Sequence, residues 1–157
     1  MANYRVAEST QQILACPAIL AGYNPIGQNM IEYTIDEPRR LIRVRMSGAN
    51  TLTDLLQHFS NLINDPKFDG TFNAIFHITE DATLPAALLD NVFFKMAFEQ
   101  WELRRKHAKW AVVSPSRSQL ALAQRATENA NLRSVQLRFF DDEESALNWC
   151  DSNTKSP

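Results

Sequence analysis

Glycine is scarce in this chain, with 4 among 157 residues and none of them clustered. That argues against phosphate-cradling loops, which need neighbouring glycines so that the backbone can approach the phosphate closely. Cysteine is scarcer still. The 2 cysteines, Cys16 and Cys150, lie near opposite ends. They offer no disulfide framework and no C-x-x-C redox or zinc spacing, so the reduced thiols of a cytoplasmic protein are expected. No apolar run approaches the ~18–20 residues that span a bilayer, and stable membrane insertion is not expected. The stretch Ile13-Leu14-Ala15-Cys16 superficially resembles a lipoprotein cleavage site. However, Arg5 to Gln12 is polar, without the apolar core of a signal peptide, and Pro17 follows at once, so export is not expected.

A basic excess is also missing. Lys and Arg number 16 against 18 Asp and Glu, a formal net charge of −2. A nucleic-acid binder usually carries a basic stripe, and the only basic run is Arg104-Arg105-Lys106. Cations there fit the negative end of a helix dipole, so nucleic acid is not an expected partner. His58, His77 and His107 share no metal-ligand spacing, and neither metal nor cofactor is expected. Ser114-Pro115-Ser116 lacks the Gly-x-Ser-x-Gly nucleophile elbow. No residue set therefore reads as catalytic.

What is present is regular apolar patterning from Met30 onward, within a chain that is 45% hydrophobic and suited to one cored domain. Residues 1–29 read as an irregular arm, 30–150 as the domain and 151–157 as a polar tail. Ile31, Tyr33 and Ile35 alternate with polar residues, as do Ile42, Val44 and Met46 with Arg43 and Arg45. Asp36-Glu37-Pro38-Arg39 between them supplies a turn, giving an antiparallel hairpin with an arginine-bearing face. Leu52, Leu55, Leu56, Phe59, Leu62 and Ile63 form one helical stripe, capped by Asn50 or Thr51 and stopped at Asp65-Pro66; His58 falls off that stripe, toward solvent. Asn73 to Ile78 reads as a buried strand. Trp110 to Val113 is a short strand of a doubly covered sheet, followed by a helix from Ser118 to about Asn129. Val135, Leu137 and Phe139 alternate as a last strand. Asp141 and Glu144 have capping-box spacing before a closing helix. The order is β-β-α-β-α-β-α-β-α, an α/β class with a mixed sheet of about five strands.

The organising unit is the strand ending at Ile78, the loop Thr79 to Thr83, and a long helix from about Pro85 to Lys106. Loops at the carboxyl edge of such strands are where α/β proteins bind ligands. Four residues are singled out there as a ligand or switch loop: His77, Thr79, Glu80 and Thr83. His77 reads first as a hydrogen-bonded core or pocket histidine, because a general base needs a positioned partner. Glu80 and Asp81 read as solvated loop acids, and Thr83 as the cap of the long helix.

Several signatures together carry a resemblance. They are Ile31-Glu32-Tyr33 with Arg43-Val44-Arg45, Asp65-Pro66-Lys67-Phe68 after the first helix, and Ala82-Thr83-Leu84-Pro85. Later come Lys109-Trp110-Ala111-Val112-Val113, and Arg138-Phe139-Phe140 through Glu144-Ser145-Ala146-Leu147-Asn148-Trp149. Over about residues 30–150 the chain resembles the bacterial STAS-like family, related in fold to the anti-anti-sigma regulators of sporulation. The resemblance implies a small α/β domain, commonly without catalysis, that binds proteins or, in some relatives, apolar ligands. Regulatory members carry a phosphorylatable serine, usually in an Asp-Ser pair, after a central strand. Here Glu80-Asp81-Ala82-Thr83-Leu84-Pro85 contains no serine, and Thr83 is the nearest hydroxyl.

The expected function is a bacterial, cytoplasmic interaction or regulatory module whose partner is a protein or a second copy, as a homodimer. The alternative is a carrier or sensor of an apolar or lipid-like ligand held between the long helix and the sheet. At about 100° per residue, that helix shows two apolar faces. Leu89, Val92, Phe93, Met96 and Leu103 are assigned to the core. Phe94, Phe98 and Trp101 form the second face. They are expected either to build an interface or to be covered by a neighbouring helix or by the arm around Ile13 to Tyr23.

Overall fold

The computed structural model describes residues 30–90, 92–130, 132 and 134–152. The arm 1–29 and the tail beyond Ser152 lie outside the described residues. Among those described, five strands and four α-helices form an α/β domain on one mixed sheet. β1 (Met30–Asp36) and β2 (Leu41–Ser47) are antiparallel, in a register that sets Tyr33 against Val44. The turn between them closes through Arg40, whose φ of 53° is left-handed, while the Asp36 carboxylate accepts from the Arg39 amide. β3 (Asn73–Ile78), β4 (Lys109–Val113) and β5 (Gln136–Phe140) then add in parallel, each beside its predecessor.

Because each strand adds on the same side of the one before, the crossover helices share one face. They are α1 (Leu52–Ile63), α2 (Val92–Leu103) and α3 (Arg117–Asn129). Their apolar residues join Ile42, Val44, Phe76, Trp110 and Val112 in the main core. α4 (Glu143–Asp151) crosses the opposite face, where Ala146, Trp149 and Cys150 meet Leu41, Ile75, Ala111 and Val113. α4 packs mainly on β3, β4 and β5 and touches β2 through Leu41 and Arg43, which leaves much of the β1–β2 part of that face open, with Glu32, Thr34 and Arg45 exposed.

Caps decide where several helices begin. Thr51 caps α1 in a full capping box, its hydroxyl accepting from the Asp54 amide while the Asp54 carboxylate accepts from the Thr51 amide at 2.7 Å. α4 is capped by Asp142, which accepts from the Ser145 amide at 2.7 Å, one residue later than the spacing of Asp141 and Glu144 suggests.

Three expectations are corrected around α2. Thr83 is not its cap. A single 3-10 turn, Ala86–Leu88, follows Pro85, and α2 starts only at Val92. Thr83 instead forms an isolated parallel bridge with Ala49, donating to the Gly48 carbonyl at 2.8 Å and accepting from the Asn50 amide. The two faces of α2 are exchanged relative to expectation. Phe94, Phe98 and Trp101 are buried, whereas Val92 (60%), Phe93 (66%), Met96 (55%) and Leu103 (73%) are exposed. The cover is α1, as one alternative held: Phe59 meets Phe94, Phe98 and Trp101 with centroids 6.3, 5.0 and 5.7 Å apart. Below them Trp110 of β4 contacts Phe98 at 5.3 Å and Trp101 at 4.3 Å. Phe94, Phe98 and Trp101 find ring partners in Phe59 and Trp110, and aromatic side chains bury large apolar areas, so the aromatic face turns inward.

Arg105 does not extend the helix as a dipole-compensating cation, because α2 ends at Leu103. Its side chain is buried, with the guanidinium carbon 4.9 Å from the Trp101 ring, and none of its three guanidinium nitrogens has a hydrogen-bond partner. Burial holds its pKa down to about 10, so it remains charged at neutral pH. Gly70 permits this path of the chain: a Cβ there would collide with the Arg104 carbonyl, and the Gly70 carbonyl accepts from the Lys106 amide.

Candidate functional site

The structure separates the residues that the sequence groups at the loop. Thr79 is buried and structural, its hydroxyl within hydrogen-bond distance of the Met46 carbonyl (3.0 Å) and of the Asp81 carboxylate (2.5 Å). Asp81 also accepts from the Gly48 amide at 3.1 Å. Its pKa is lowered by the Thr79 hydrogen bond first and the Gly48 amide second, so it serves as an ionised clamp between two loops. From the other side the Gln119 amide donates to the Thr79 and Ala82 carbonyls. Glu80 and Thr83 are exposed on this tied loop. The sequence missed Asp81 and Gln119 as the residues that fix the loop's shape. Thr-x-Asp spacing is common, and Gln119 arrives from a helix 40 residues away.

His77 points elsewhere, onto the open face of the sheet. Its Nδ1 lies 3.6 Å from Glu143 Oε2, and Arg43 Nη1 donates to Glu143 Oε1 at 2.9 Å. Glu32, Thr34, Arg43, Arg45, His77 and Glu143 line a shallow groove of about 280 Å³ there. His77 is thus a partly buried groove histidine with a carboxylate beside it. The parity of the strand shows which face it takes, but only the fold brings Glu143 across from α4. One carboxylate oxygen of Glu143 is held by the Arg43 guanidinium and the other faces the His77 imidazole, an arrangement that docks the start of α4 against β2 and β3.

Between α2 and the sheet lies a wholly apolar cavity of about 50 Å³, bordered by Met46, Phe59, Phe76, Leu88, Phe98 and Ala126. Drug-sized ligands occupy pockets of roughly 300–1,000 Å³. The chemistry suits an apolar guest and the volume suits only a very small one.

No family model, no curated protein and no solved structure matches the chain. Its chemistry must therefore be read from its own groups. Among the described residues no cluster of three His, Cys, Asp or Glu side chains is placed to hold a metal ion. The Cys150 thiol is buried, and burial pushes its pKa up to about 11, far from the thiolate a nucleophile requires. No helix among the described residues is long and apolar enough to cross a membrane.

The outer face of α2 remains. At about 100° per residue, Val92, Met96 and Leu103 fall within about 40° of one another, directly opposite Trp101. Phe94, Phe98 and Trp101, the expected interface residues, form no part of this surface because the core takes them. The exposed stripe lies beside a groove between α2 and α3 of about 360 Å³, lined in part by Leu89, Val92, Lys95 and Asn129. The sequence signal was there, in the second apolar stripe, but with the faces exchanged.

Proposed function

We propose that this chain is a non-enzymatic interaction and regulatory module of STAS-like type, acting through protein contacts made by the outer face of α2. The observation that carries the reading is the exposure of Val92, Met96 and Leu103 in one line on a helix whose other side already fills the core. Leaving such a stripe in water is unfavourable by about 25 cal/mol per Å² of apolar surface, and contiguous exposed apolar surface marks interaction sites. A bacterial, cytoplasmic setting belongs to the same proposal, resting on the family resemblance and the scarcity of cysteine. The carrier alternative draws support from the apolar lining of the inner cavity, whose volume places it second.

A photo-crosslinking residue at Met96, compared with one at the exposed Gln57 of α1, tests the reading in the native host. Adducts to a protein chain are expected at Met96 alone. Equal labelling at both positions would overturn it. A small apolar molecule retained through native mass spectrometry would favour the carrier instead.

A further inference from the structure

Resting on that protein-contact reading, we infer that the occupant of the α2 face is a second copy of this chain, docked through an antiparallel α2–α2 contact. The argument is self-complementarity. A two-fold interface brings a patch against itself, so its apolar centre and its charges must both match their own image. Val92 and Leu103 end the stripe and Met96 lies near its middle. A two-fold axis near Ala97, perpendicular to both helices, therefore sets Val92 of one copy against the region of Leu103 in the other.

The charges then decide the orientation. Lys95 and Glu99 lie on one flank of the stripe, while Phe93 and Gln100 lie on the opposite flank. In an antiparallel pair related by that axis, each flank meets the same flank of the second copy. Lys95 of each chain then faces Glu99 of the other, in two reciprocal ion pairs. A parallel pair would set the charged flank against Phe93 and Gln100 and leave both charges unmatched. Within one chain the Lys95–Glu99 pair is loose, at 3.9 Å and half exposed on both sides. Lys preceding Glu by four residues is also the weaker order on a helix. Both side chains are accordingly available across the two-fold. The arrangement further carries Leu103 of the second copy toward Val92, which borders the groove between α2 and α3.

The test is sedimentation velocity of the full chain over a concentration series, with thermal melts of every variant. Wild type is expected to dimerise. Met96→Glu/Leu103→Glu should weaken association by on the order of 100-fold or more, because two apolar side chains lose their burial. The melt of the monomer should be retained, since both positions are exposed. Lys95→Glu alone should weaken association by about 3-fold to 10-fold, the range of surface ion pairs. Lys95→Glu/Glu99→Lys should restore it, since the swap regenerates both cross-pairs. That rescue separates this geometry from a merely sticky patch, and its failure in a dimeric protein would overturn the antiparallel contact. A monomeric wild type would overturn the second copy as occupant. If the Met96 crosslinker then still captured a different chain, the protein-contact reading would stand; if it captured none, both would fall together.

Discussion

Helices α1 and α2 are both 12 residues long and pack side by side on the same face of the sheet. α1 has one apolar stripe, a capping box and a polar outer surface, and each of these features names its direction. α2 has two opposed stripes, an aromatic one inside and a largely aliphatic one outside, with no acidic first turn to mark its start. Periodicity locates an apolar face, but it ranks two such faces only if one is clearly weaker. Here the choice is made by the aromatic partners that the inner face meets. α1 and β4 contribute Phe59 and Trp110, whose rings pair with those of Phe98 and Trp101 as Val, Met and Leu could not.

The sharpest way to break this comparison is to truncate each face of α2. Phe98→Ala should cost about 3–5 kcal/mol, the range for deleting a packed aromatic, whereas Met96→Ala should stay within about 0.5 kcal/mol in the isolated monomer. Chemical denaturation of both variants measures this, and comparable losses would return the outer stripe to the core. Next in size is His58, at the margin of the α1 stripe. Its ring is buried among Tyr33, Phe59 and Phe76, at centroid distances of 5.6 to 5.8 Å, with Nε2 unpaired. Burial lowers its pKa from 6.5 to about 4.

Between those two values the unfolded chain binds a proton that the folded chain refuses. Stability is therefore complete above about pH 6.5 and falls as pH drops toward about 4, by about 3 kcal/mol in all. His58→Leu should flatten that acid limb while leaving stability near pH 7 unchanged or higher, since an unpaired buried nitrogen is removed. Urea melts across that pH range decide it; an unaltered slope would assign the acid sensitivity elsewhere. The smallest contrast is in the threonines. Thr51→Ala should cost about 1 kcal/mol through the lost cap, and Thr83→Ala less than about 0.5 kcal/mol because its contacts come from the backbone. Equal losses in thermal melts would show that the Thr83 hydroxyl does structural work after all.

Much of the fold was legible because single-faced elements announce themselves. The β1–β2 hairpin, α1 with its cap, β3 at Asn73–Ile78 and the doubly covered β4 all follow from residues adjacent in sequence. What could not be read depends on distant partners. His58 lies about 40° beyond Leu62 on the helix, a position that reads as solvent-facing, yet Tyr33 of β1 packs against it. Arg105 looked like a terminal cation, and only the path past Gly70 draws it beneath Trp101. At the loop, Thr79 and Thr83 are indistinguishable by type; the hydroxyl of one is buried against the Met46 carbonyl, while the other sits on the surface. His77 and Glu143 are 66 positions apart and meet only because α4 folds back across the sheet.

That fold-back has a consequence for how the chain is made. Lys109 is buried at the start of β4, and its ammonium donates to the Trp149 and Ser152 carbonyls and to the Ser152 hydroxyl. Asn73 similarly donates to the Cys150 carbonyl. Every one of these acceptors is synthesised after all five strands. While the ribosome is still extending the chain, Ile75, Ala111 and Val113 present bare apolar strand surface and Lys109 has none of its carbonyl acceptors. Nascent chains in that condition are prone to aggregate and are substrates for chaperones. The last nine-residue helix is thus the cover that ends this vulnerable interval, and the lysine is the latch by which it holds.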